Sequence, residues 1–146
     1  MDFWYALLLY IHILSAIMSI GPFFIFIPVM KKLRSAEALE QNAYLNTFRT
    51  AIRLAKHAGH VLVGSGILLV LVGSWSWSTS WIVMTILLLI GSLLFLARAF
   101  SPKIRKINEP GQDKAIIIRL LARSLWIYLV LLLCMLAFMV VKPTFW

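Results

Sequence analysis

Acid is scarce in this chain, and none of it lies where a membrane-buried proton relay would need it. The five carboxylates, Asp2, Glu37, Glu40, Glu109 and Asp113, all fall outside the long apolar runs. That excludes a carboxylate relay through those runs. Cysteine is scarcer still. A single thiol, Cys134, rules out an internal disulfide, and no CxxC or Cys/His zinc spacing occurs. Cys134 stands in an apolar run, where a small packing residue is its plain role. HExxH, GxSxG and phosphate-loop motifs are missing as well. Their absence removes the common routes to metalloprotease, hydrolase and nucleotide chemistry.

Apolar side chains are what the sequence has in excess. Hydrophobic residues make up 62% of the 146, against about 45–50% in a soluble domain. A water-facing surface cannot absorb that surplus, and the length allows one domain, residues 1–146. Charge is segregated: long uncharged runs alternate with short stretches crowded with Lys and Arg. The net charge of +9 therefore points to orientation in a bilayer and to anionic lipid headgroups rather than to nucleic acid.

Four apolar runs, residues 3–30, 57–73, 81–97 and 124–141, read as membrane spans, since a helix needs about 20 residues to cross the hydrocarbon. The first is not the pattern of a cleaved signal. It starts from Asp2 rather than a basic segment, and it outruns an h-region of about 7–15 residues. The resulting fold class is all-α, an integral membrane four-helix up-and-down bundle. Between the spans lie two basic segments, 31–56 and 98–123. The first has no Pro or Gly and is rich in Ala, Leu, Glu and Gln, so it should be largely helical and run into span two. The second contains Glu109-Pro110-Gly111, a turn signal. Pro22 should bend span one. The opposite side of the bundle carries only Lys142, so the positive-inside rule makes both basic segments cytoplasmic and leaves both termini outside. Aromatics agree: Trp4, Tyr5, Trp75, Trp77, Trp81, Phe145 and Trp146 fall at the outer boundary, Trp126 and Tyr128 near the inner one.

Helices in lipid associate through small and occasional polar residues. Span one carries such a stripe in Tyr5, His12, Ser15, Ala16 and Ser19, and span three offers Thr85 and Ser92. Arg49, Arg53, Lys56, His60 and Gly64 share one side of span two, and Arg119 and Arg123 precede Trp126 and Tyr128 in span four. The expectation is a polar interior seam that opens into a basic mouth.

His12 is the one basic side chain well inside a span, and burying it requires a partner. Three readings are open: a neutral imidazole bonded to a hydroxyl or carbonyl of a neighbouring helix, an axial ligand to haem iron, or a ligand to copper. His57 and His60 sit at the inner boundary of span two, either as an interfacial pair or, for His60, as a second ligand. In the latter case Arg49, Arg53 or Arg123 would pair with haem propionates. Depth opposes a His12–His60 pair: at 1.5 Å per residue His12 lies ~14 Å and His60 ~20 Å below the outer helix ends. Met135, Met139 and Cys134 would suit Cu(I) and are also ordinary apolar filler.

From His12 the first span reads His-Ile-Leu-Ser-Ala-Ile-Met-Ser-Ile-Gly21. A histidine early in span one, then small residues and a glycine, resembles small four-helix bacterial membrane proteins of the family DUF2269. It is more distantly similar to CopD-type copper-resistance domains and HemJ-type oxidases. The resemblance implies a bacterial plasma membrane and a membrane-embedded cofactor site that uses His12, with haem b as the cofactor expected. Two other roles stand beside it. One is a non-enzymatic accessory or scaffold protein that binds another membrane protein, itself or anionic lipid. The other is a small oligomeric transporter or copper-handling protein.

Overall fold

The computed structural model describes residues 2–146. Its helices are α1 (Phe3–Ser35), α2 (Ala38–Val72), α3 (Ser80–Ala99), α4 (Ser101–Ile107) and α5 (Lys114–Val141). Four helical stretches, with α3 and α4 counted as one, are long and apolar enough to cross a membrane. No strand occurs among the described residues. The expected all-α membrane bundle is the fold.

Helix boundaries follow local chemistry. The Ala-, Leu- and Glu-rich segment after residue 31 is helical almost throughout, so the first basic segment reduces to a two-residue link, 36–37, and α2 runs unbroken for 35 residues. Asp113 caps α5, its carboxylate accepting from the backbone N–H groups of Ala115 (2.9 Å) and Ile116 (3.4 Å). That start lies ten residues ahead of the expected span four. α3 and α4 part at Phe100, where Pro102 in the first turn of α4 has no N–H to continue the α3 ladder. Pro22 does not interrupt α1, and neither does Pro28. The carbonyls they release belong to Met18 and Phe24, both on the exposed side of the helix.

α1 is central, packed along both α2 and α5, while α3 packs along α5. Toward the basic end the core is aromatic. Phe26 meets Phe48 of α2 at 4.2 Å between ring centroids, and Phe23 meets Tyr128 of α5 at 4.7 Å. Phe100 sits among Phe23, Phe48 and Tyr128. Edge-to-face pairs of this kind add about 0.5–1.5 kcal/mol each beyond the area they bury. Tyr128 is thus a core residue rather than an interfacial one, whereas Trp126 points outward. Toward the other end the seam is made of small hydroxyl residues, Ser15, Ser19, Ser65, Thr85 and Ser92, all buried. Most return their proton to their own helix, as Ser15 does to Ile11 O (2.7 Å) and Thr85 to Trp81 O (2.7 Å). The seam expected from Ser15, Ser19, Thr85 and Ser92 is therefore present.

The bundle has two unlike ends. At one, the links after α1 and α4 come together: Asn108 donates to Asn42 (3.4 Å) and Lys114 Nζ to Gln41 Oε1 (3.4 Å). At the other, the C-terminal tail is tied to the α2–α3 turn. Ser80 donates to Pro143 O (3.0 Å) and accepts from Phe145 N–H (3.1 Å), and the Trp146 indole donates to Ser78 O (2.9 Å). Lys142, with a left-handed backbone, places its ammonium 5.0 Å from the Trp75 ring and 5.5 Å from that of Trp81.

Candidate functional site

His12 is built into the seam from two helices. On α1 it shares the inward side with Ser19, Phe23 and Met30, all buried. On α2 the small residues Ser65 and Gly66 let the ring approach. Imidazole Nδ1 lies 3.0 Å from Ser65 Oγ. A Cβ at Gly66 would come within 3.1 Å of His12 Cε1, so a residue without a side chain is what admits the ring. Ser65 has one hydroxyl proton, and the carbonyl of Val61, at 2.7 Å, is its nearest acceptor. The imidazole then donates its Nδ1–H to Oγ, which leaves Nε2 as a lone pair. Ser65 Oγ is the ring's side-chain partner among the described residues, the backbone of Leu62 lies within reach of the imidazole, and His12 as a whole is half-buried.

The other residues singled out from sequence lie elsewhere. Arg49, Arg53, Lys56, His57, His60 and Gly64 are all exposed. The stripe therefore runs down the outside of α2; the inward side is Gln41, Leu45, Phe48, Ala55, Ala58, Leu62 and Ser65. The inward side is apolar because it packs against α1, as Phe48 does on Phe26, and charged side chains are left on the other face. Arg49 donates to Asn46 on its own helix (3.0 Å). Arg123 is exposed on α5. None of Arg49, Arg53, His60 and Arg123 is brought to His12. Met135 is buried and Met139 half-buried, whereas Cys134 is exposed on the flank of α5 rather than packed. Among the described residues no group of three or more His, Cys, Asp or Glu side chains is placed to hold a metal ion.

Comparison with protein-family models, with curated proteins and with solved structures finds no match for this chain.

Sequence reasoning offered a hydroxyl or carbonyl of a neighbouring helix as one of three partners for His12, without identifying the residue. The signal was the small pair Ser65-Gly66 of α2, since small residues mark close helix approach. It also passed over Gln41, a buried amide in a polar stretch, and the tie between Ser80 and the tail.

Proposed function

We propose that this multi-pass membrane protein works through His12, as a single-imidazole site for haem b in a redox or haem-handling role in a bacterial plasma membrane. The observation that carries the reading is the ring's orientation. Metal-ligating histidines are usually held by a hydrogen bond at the nitrogen that does not ligate. Ser65 supplies that bond at Nδ1, and Nε2 is the atom left to ligate. The residues present fit one axial ligand: Gly66 clears the ring, and the surrounding seam is built of small hydroxyl residues. They supply no second imidazole, and the arginines first considered for propionates stand on outer faces. Haem held there would bring one-electron chemistry to the half of the bundle away from the basic segments. The chain's own contribution is to fix the imidazole tautomer through Ser65 and to keep lipid tails off the ring by packing it against α2.

Protein expressed with haem supplied and purified in mild detergent should show a Soret band that shifts on reduction with dithionite. His12→Ala should lose the band while still eluting as a monodisperse species, and His57→Ala should keep it. A colourless wild type after haem supplementation would sink the reading. The second reading rests on the same bond: an imidazole that donates to Ser65 is also a complete interhelical fastener. A colourless protein would therefore be a non-enzymatic accessory or scaffold bundle, with His12 as a packing residue.

A further inference from the structure

Where the basic ends of α1, α2 and α5 meet, the structure forms an open cavity of about 380 Å³. Arg34, Lys114 and Arg119 line it, over a floor that includes the buried side chains of Leu33 and Ile118. No carboxylate is among its lining residues. Of the nearby acids, Asp113 caps α5, Glu109 pairs with Arg105 at 3.8 Å, and Glu37 and Glu40 are exposed, as Arg34, Lys114 and Arg119 also are. None of the three cations has a carboxylate partner among the described residues. Gln41 is only 5% exposed and lines the same space. Its Oε1 accepts from Lys114, while its amide nitrogen donates to no protein group among the described residues. The Gln41 amide nitrogen stays open to this space, and free amide donors beside three cations without carboxylate partners make a site for an anion with several acceptor oxygens.

The surroundings give that anion apolar tails. Leu39, 84% exposed, stands in the first turn of α2, and Ile116 and Leu120 are exposed on α5. Level agrees. α5 has 28 residues, ~42 Å at 1.5 Å per residue, which matches a bilayer with its headgroups, ~40–45 Å. With the far end of α5 at one headgroup layer, Lys114 reaches the other. We infer that this cavity is a specific seat for the phosphate of an anionic phospholipid, held by Arg34, Lys114, Arg119 and Gln41, with the acyl chains along Ile116 and Leu120.

Native mass spectrometry of the full chain from mixed phosphatidylglycerol and phosphatidylcholine vesicles tests the inference. The wild type should retain phosphatidylglycerol in preference. Each cation near a charged surface contributes about fivefold in retention, so Lys114→Gln with Arg119→Gln should lower it by about 25-fold. Gln41→Leu should lower it several-fold with no change of charge. Arg49→Gln with Arg53→Gln, the same loss of charge on the outer face of α2, should leave most of it. Arg119→Lys retains charge and fold and should bind within a few-fold of wild type. Equal losses in the two double variants would overturn the seat and leave diffuse charge attraction. Displacement of the lipid by millimolar inorganic phosphate would equally overturn it, in favour of a free-phosphate site.

Discussion

Two single residues, Ser65 and Gly66, hold the His12 ring in place. Ser65→Ala removes the acceptor of His12 Nδ1–H and leaves a half-buried imidazole to find another. Interhelical hydrogen bonds in membranes average about 0.6 kcal/mol and reach about 1.7, so unfolding in a denaturing-detergent titration should show a loss in that range. A loss indistinguishable from zero would mean the bond is not formed. Gly66 offers a sharper contrast, because Gly64 is its internal control. Both lie on α2, and a Cβ at Gly64 would meet nothing within 4 Å, whereas one at Gly66 meets the imidazole at 3.1 Å. Gly66→Val should therefore cost about 1–3 kcal/mol more than Gly64→Val in the same titration; equal costs would place the ring elsewhere. The need for a partner at His12 was legible in the sequence, since an imidazole in hydrocarbon cannot stay alone. The partner's identity was not. Ser65 is 53 residues away, and only the register of α1 against α2 brings the two together.

At the scale of elements, α2 was the most readable helix and also the most misread. Its continuity through the polar segment follows from Ala, Leu, Glu and Gln without Gly or Pro. Its facing does not follow from polarity. The Arg49–Arg53–Lys56–His60 stripe pointed inward on the rule that polar residues mark helix contacts in lipid, but it stands on the exposed side. The inward side is instead marked by Leu45, Phe48, Ala55 and Leu62, which the charged stripe upstaged. The tail after α5 is an element of another kind. Ser80 is fully buried and holds both Pro143 and Phe145. Ser80→Ala should release residues 143–146 and expose them to carboxypeptidase, with digestion faster by severalfold and the helices intact by circular dichroism. Unchanged digestion would mean that the Lys142–Trp75–Trp81 contact alone retains the tail.

At the scale of the whole molecule, four apolar runs and two basic segments were enough to specify the bundle, because hydrocarbon leaves a chain few other ways to satisfy its backbone. Which helices touch was less accessible. The central position of α1, between α2 and α5, depends on Phe23, Phe26, Phe48, Phe100 and Tyr128 interlocking, and periodicity alone does not choose among partners. Both the His12 site and the lipid seat rest on a chain that crosses the membrane four times, with its basic end on one side and its tryptophan-lined end on the other. The most direct test is thiol accessibility in intact cells. After Cys134 is replaced by Ala to clear the background, Ser35→Cys, Pro110→Cys and Ser78→Cys each report one link. The account predicts labelling of Ser78→Cys by an impermeant maleimide, and labelling of Ser35→Cys and Pro110→Cys only after the membrane is permeabilised. Labelling of Ser35→Cys and Ser78→Cys from the same side would contradict it.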